Sequence, residues 1–245
     1  DVERSRGLGD VYKRQGQYGT DFLVPGMAVE IVDNHTLEAY ARRIVAKVER
    51  FNKEYSAVTF TEPLPENIRP GHLIAADEPG PDVHISGCRM SGNRARGLLI
   101  GSRGRVIIEN NYFHIAGASI LFEGDGNFWF EQSGVRDVTI RNNIFANGNY
   151  GSRGWGSACI AVGSGISQRQ TSRYHRNIQV DGNLFRVFDP RIVNLYCVDG
   201  FQFSASNRIV RTSDYPATFD PKLHFVFDQC DHIEIPRQIE MAEQR

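Results

Sequence analysis

The sequence predicts an all-β protein in which a parallel β-helix follows a small antiparallel β-barrel-like domain. Three observations lead there. A short motif recurs along most of the 245 residues. Its copies are rich in β-branched residues, Asn and Gly. No helical periodicity runs between the copies, which separates this pattern from leucine-rich and helical repeats.

The motif is apolar-x-apolar-x-x-Asn-x-aromatic. RVIIENNYF supplies Val106, Ile108, Asn111 and Phe113, and DVTIRNNIF supplies Val138, Ile140, Asn143 and Phe145. DVHISGCRM starts the series with Val83, Ile85, Cys88 and Met90, and NIQVDGNLF continues it with Ile178, Val180, Asn183 and Phe185. Two weaker copies follow: Phe201 and Phe203 in GFQFSASN, then Phe225, Phe227 and Cys230 in HFVFDQC. Counted from Val83, Val106, Val138, Ile178, Phe201 and Phe225, successive first positions lie 23, 32, 40, 23 and 24 residues apart. A base period near 23 with occasional extra residues is the mark of a stacked coil whose insertions become loops. Side chains alternate across a strand, so the apolar pair points inward. Asn then falls at a corner, where its amide bonds neighbours and its backbone tolerates a left-handed turn. We expect Asn111, Asn143 and Asn183 to form a ladder, with Cys88 and Cys230 in the same column at rungs that lack Asn, too far apart for a disulfide. Unrelated strands of a sandwich are the bland alternative.

Composition sets few further limits. A formal charge of −1 gives no electrostatic reason to expect nucleic acid or an anionic membrane as partner. No apolar run approaches the roughly 18 residues of a membrane span. The four cysteines form no CxxC pair and the seven histidines are scattered, so no metal site is expected.

In chain order, residues 1–15 read as an artefactual tail. GDVYKRQ looks like translated adapter sequence of the kind that contaminates sequence assemblies, and it is set aside. On that reading the chain is a fragment, and any signal peptide lies further upstream. Residues 16–80 form the β-barrel-like domain. Met27, Val29 and Ile31 alternate against Ala28, Glu30 and Val32, as in a strand, and Asn34-His35 supplies a turn. The stretch 37–51 is ambiguous. Leu37, Tyr40, Ala41, Ile44, Val45, Val48 and Phe51 fit a helical stripe with Thr36 as N-cap, yet the same residues read as a strand between β neighbours. We take the strand and keep the helix as the alternative. PGP at 79–81 marks the boundary, and the coil occupies 81–245. LLIGS, ILFEG and CIAVGS align Ile100, Phe122 and Val162 as a further strand of each rung.

The chemistry is expected where the period breaks. The insert EGDGNFWFE places Glu123, Asp125 and Glu131 beside Trp129 and two Phe. Glycoside hydrolysis needs a pair of carboxyl groups, one protonated and one ionised, and flat rings suit a sugar face. A solvated loop acid is the bland reading of each singly. The second insert, NGNYGSRGWGS, carries Tyr150 and Trp155, which could stack on a sugar face or only pack under a loop, and is expected to leave the coil near the first. Arg94, Arg96 and Arg103 could clamp hydroxyls or a carboxylate, or simply face solvent. His175 could touch substrate or only brace a corner, and Asp199 is an acid at a rung corner. GSGIS at 163–167 is discounted as a phosphate loop because no helix follows.

NRARGLLIGSRGRVIIENNYF, EGDGNFWFEQSGVRDVTIRNN, YHRNIQVDGNLF and CVDGF, with LPENIRPGHLI before them, together resemble glycoside hydrolase family 110, the blood-group-B-type α-1,3-galactosidases. The resemblance covers roughly 26–207. It implies a right-handed β-helix and an exo-acting, inverting hydrolase that needs no cofactor or metal. It further implies a glycan partner with terminal galactose, a secreted, periplasmic or cell-surface location, and a possible homodimer. Carried over by position, it puts a catalytic acid at Asp125, with Glu131 or Glu123 as partner. Where family members have two adjacent acids this chain has Glu-Gly-Asp, which leaves the exact substrate open. Arg94, Arg96, Trp129, Trp155, His175 and Asp199 are the substrate-binding candidates. A non-catalytic glycan-binding β-helix is the alternative. A polysaccharide lyase ranks last, because the inserts hold no Lys base and no calcium-type acid cluster.

Overall fold

The computed structural model describes residues 22–52, 55–126, 134–151, 158–163, 172–216 and 223–243. Every regular element among them, apart from a single 3-10 residue, is β. The chain separates into two compact units. One comprises 1–79, 124–133 and 165–172, and the other 80–123, 134–164 and 173–245. Each is described by itself.

The first unit holds β1 (Ala28–Val32), β2 (Ala39–Arg50), β3 (Ser56–Phe60) and β4 (Leu73–Ala76) in the antiparallel order β3-β2-β1-β4. Leu23, Val29 and Val45 form its core, with Met27, Val48, Val58, Phe60 and Ile74 packed on them. The turn between β1 and β2 is set by Asp33, whose Oδ1 accepts the N–H groups of His35 (2.7 Å) and Thr36 (3.2 Å). The helical alternative for 37–51 is not what forms: β2 spans it as one strand. Its pattern fitted both periods, and pairing with β1 and β3 on its two sides settles the matter in favour of strand. Residues 124–126 belong to this unit. A Cβ at Gly126 would lie 2.4 Å from Leu73 Cδ1 and 2.5 Å from Leu37 Cδ2, so a larger residue there would have to displace those two side chains.

The second unit is a parallel β-helix, a three-sided coil. Its first rung runs through β5 (Val83–Ser86), β6 (Arg89–Ser91) and β7 (Arg96–Ile100), and its second through β8 (Arg105–Glu109), β9 (Tyr112–His114) and β10 (Ala118–Phe122). The third contains β11 (Asp137–Arg141), β12 (Ile144–Ala146) and β13 (Ile160–Val162), and the fourth β14 (His175–Asp181), β15 (Leu184–Val187) and β16 (Arg191–Tyr196). β17 (Val198–Phe203), β18 (Arg208–Arg211) and β19 (His224–Asp228) make the fifth. β20 (Asp231–Glu234) and β21 (Met241–Glu243) complete the described coil. Like strands stack into three parallel sheets, called here the first, second and third face.

Inward residues form unbroken columns. On the first face Val83, Val106, Val138, Ile178, Phe201 and Ile233 stand in register. On the second stand Met90, Phe113, Phe145, Phe185, Ile209 and Met241. On the third, Ile100, Phe122, Val162, Leu195 and Phe227 align, the register expected for the first three. The Phe145 ring stacks on Phe113 at 5.2 Å and on Phe185 at 4.6 Å.

The Asn ladder is present and one step longer than expected. Asn111, Asn143 and Asn183 each accept, through Oδ1, the main-chain N–H of the residue one rung before: Cys88, Asn111 and Asn143. Asn207 accepts from Asn183 in the same way. The amides donate to Ile85, Ile108, Ile140 and Val180 carbonyls at 2.8–2.9 Å. The left-handed backbone sits one residue earlier, at Gly87, Asn110, Asn142 and Gly182. The motif thus divides the labour: the first Asn turns the chain and the second bonds the stack.

Two expectations about the coil are corrected. Phe225 and Phe227 lie on the third face, where Phe225 pairs with Val193; the rung after Phe201 begins at Ile233. Both faces carry apolar-x-apolar pairs, so the pattern alone could not separate them. Cys230 accordingly lies between β19 and β20, outside the Asn column, while Cys88 heads it. All four cysteines are free thiols. No helix among the described residues is long and apolar enough to cross a membrane.

Candidate functional site

The third face ends at two corners with different chemistry. At its C-terminal edge Phe122 and Val162 pair, and Glu123 and Gly163 follow them. The half-buried Glu123 carboxyl lies against Gly163: a Cβ there would stand 3.5 Å from Oε1. Gly163 N–H donates to the Phe122 carbonyl (2.7 Å). The Gly163 carbonyl accepts from His175 Nε2–H (2.9 Å) and from the Tyr174 hydroxyl (3.3 Å). His175 Nδ1 accepts the Val135 N–H (3.3 Å), which fixes the tautomer. The ring is fully enclosed, and burial pushes its pKa down to about 4. His175 is therefore neutral and held by main chain at both nitrogens. It braces this corner, and no ring nitrogen is left over for a substrate.

Gly134, where the chain re-enters the coil, has φ +91°, and a Cβ there would lie 2.4 Å from the Tyr174 carbonyl. Left-handed backbone and close approach together require glycine. Gly134, Tyr174 and His175 thus fix the points at which the chain re-enters the coil at this edge.

The other sequence-derived residues are placed as follows. Asp125 is buried, 9 % exposed, and belongs to the antiparallel unit. Glu131, Trp129 and Trp155 lie outside the described residues. Arg96 opens β7 and pairs with Ala118, which sets it at the opposite end of the third face from Glu123, with exposed Arg94 just before it. Asp199 lies on the first face, its Oδ1 2.6 Å from His232 Nδ1, and that bond raises the His232 pKa.

The two inserts expected to leave together do not. The acidic insert follows β10, at the C-terminal edge of the third face. Asn147 to Gly151 follow β12, at its N-terminal edge. The connection that shares an edge with the acidic insert is the one after Gly163, which had been discounted as a phosphate loop. Spacing along the sequence gives the length of an insert but not which of three corners it leaves.

Sequence reasoning missed the groups at the N-terminal edge. Asp189 is buried and pairs with Arg191 through Oδ2 at 2.9 and 3.0 Å, and Arg191 also donates to the Asn149 carbonyl. Nearby, Thr212 Oγ1 donates to Asn147 Oδ1 (2.6 Å) and Asn147 Nδ2 donates to Asp214 Oδ2 (2.7 Å). Turn sequences FDPR and TSDYP were the available signal. Among the described residues no three His, Cys, Asp or Glu side chains converge as a metal site.

Comparison with known proteins gives concordant matches. Residues 12–74 match the family model described as GLAA-B beta-barrel domain II. The chain is similar to alpha-1,3-galactosidase A of Shewanella woodyi, 38 % identical over 82 % of this chain and 32 % of that protein. Alpha-1,3-galactosidase B of Bacteroides thetaiotaomicron is 33 % identical over 89 % of this chain and 35 % of its own length. Alpha-1,3-galactosidase A of Bacteroides fragilis is 31 % identical over 87 % of this chain and 35 % of its own length. The chain spans about a third of these relatives.

Proposed function

We propose that the chain is part of a glycoside hydrolase of family 110 that releases terminal α-1,3-linked galactose from glycans. The observation that carries the reading is similarity to proteins named α-1,3-galactosidase, which runs through both units and not through the coil alone. A coil shared by many β-helix proteins would be weak support; the pairing of coil and antiparallel unit is stronger.

The mechanism we infer is exo-acting and inverting. One carboxylic acid protonates the departing glycosidic oxygen, and a second carboxylate removes a proton from the attacking water on the other face of the sugar, the two lying about 6.5–9.5 Å apart. Asp125 is one member and Glu123 or Glu131 the other. Glu123 is half-buried at a strand end and Asp125 is buried, so both acids are at least partly shielded from solvent. Secretion to the periplasm or cell surface fits a glycan substrate.

The test is galactose release from a trisaccharide with terminal α-1,3-linked galactose, by this chain and by a chimera carrying it in place of the matched segment of the Bacteroides thetaiotaomicron protein. Asp125→Asn is expected to lower turnover at least about 100-fold, as loss of a positioned acid or base does. The first-formed sugar is expected to be β-galactose. Equal turnover by Asp125→Asn removes Asp125 from the mechanism, α-galactose as first product rules out inversion, and binding without release favours the non-catalytic reading.

A further inference from the structure

The N-terminal edge of the third face carries a surface of three near-parallel, offset-stacked aromatic rings that the reading above does not use. His114, Tyr150 and Tyr215 come from three different rungs. Their ring centroids are 5.0, 6.2 and 6.4 Å apart, and their planes lie within 17–28° of one another. Both tyrosines are 41 % exposed, far more than such rings are when they serve as core. The surface is built to stay where it is. His114 Nδ1–H donates to the Ala146 carbonyl (2.8 Å), which leaves Nε2 as an acceptor. Tyr215 abuts the buried ring of Phe188 at 5.3 Å, edge to face. Beside it the exposed Asp214 is held by one oxygen through the buried Asn147, itself held by Thr212. No described residue bonds the other oxygen.

We propose that this corner is a pyranose-binding subsite, in which the apolar face of a galactose ring lies on Tyr150 and Tyr215 while Asp214 and His114 Nε2 accept its hydroxyls. The choice of galactose rests on the galactosidase reading; the site itself does not. A cation is bound by rings that surround it with differently facing planes, whereas these near-parallel, offset-stacked rings turn their faces the same way, which fits a flat uncharged ring. The polar rim offers acceptors, which complements an occupant rich in O–H donors. The subsite lies at the opposite strand ends from Glu123, so it holds a part of the glycan away from any bond broken there.

The test uses the full chain and methyl β-galactopyranoside, which a hydrolase specific for α-linkages leaves intact. Saturation-transfer NMR is expected to show contact from aromatic protons to H3, H4 and H5 of the sugar. Tyr150→Ala and Tyr215→Ala are each expected to weaken binding about 10-fold, and Asp214→Ala several-fold. Tyr150→Phe and Tyr215→Phe keep the stacking face and are expected to bind within about 2-fold of the parent, which controls for misfolding. Absence of transfer to the parent chain overturns the proposal. So does transfer that survives Tyr150→Ala/Tyr215→Ala, or displacement of the sugar by tetramethylammonium. Loss of galactose release with this binding intact would count against the hydrolase reading alone.

Discussion

Among single residues, the buried His175 ties the stability of the coil to pH. Its folded pKa is about 4 against an ordinary 6.5, because burial disfavours the charged ring and Nδ1 is already used as an acceptor. Below pH 6.5 the unfolded chain takes up this proton while the folded chain does not. The stabilisation linked to His175 is therefore complete above pH 6.5, falls as pH drops toward 4, and is lost below that. Its size is roughly 3 kcal/mol, at about 1.4 kcal/mol per pH unit. Urea unfolding of the parent and of His175→Gln from pH 4 to 7 checks this: the gap between them should shrink steadily with acid. A constant gap would show that the ring does not titrate between the two states. The residue scale also shows where sequence reading reached its limit. Asn111, Asn143 and Asn183 were legible because each follows its apolar pair by three residues. Asn207 follows Phe203 by four, and this one-residue slip hid the fourth member of the ladder. His114, Tyr150 and Tyr215 share no motif at all; only the coil brings them together.

At the scale of elements, the second face gives the clearest energetic expectation. β9, β12, β15 and β18 are only three or four residues long, too short to be stable as isolated strands. What holds them is the column of rings inside. Phe145 is fully buried between two stacked partners. Phe145→Ala should cost about 3–5 kcal/mol, Phe145→Leu markedly less, and Met241→Ala at the half-buried end of the same column less than either. Denaturant midpoints at constant slope would measure all three. Equal losses at Phe145 and Met241 would mean that the column is not the source of stability. The strand that sequence left ambiguous, β2, follows the same logic. Its apolar residues suit either period, and the decision came from two neighbouring strands that offered backbone partners along its length.

For the whole molecule, stacking in one dimension implies that stability varies along the coil. Each rung contacts only the rungs above and below, so central rungs gain two interfaces and end rungs one. Burial follows this. The inward pairs Val106 with Ile108 and Val138 with Ile140 are fully enclosed, and Ile178 with Val180 nearly so, whereas Val83, Ile85, Ile233 and Met241 are only partly buried. Native-state hydrogen exchange should therefore be slowest for amides of β8, β11 and β14, faster in β5 and β6, and fastest in β20 and β21. Amides of Asn111 and Asn143, which donate to buried ladder oxygens, belong with the slow set. Amides open with free energies up to that of global unfolding only where a segment is enclosed on both sides. Uniform protection from β5 to β21 would instead mean that the described rungs unfold as one block. In that case the two corners of the third face, with Glu123 at one and Tyr150 and Tyr215 at the other, would share the stability of the whole coil rather than of their own rungs.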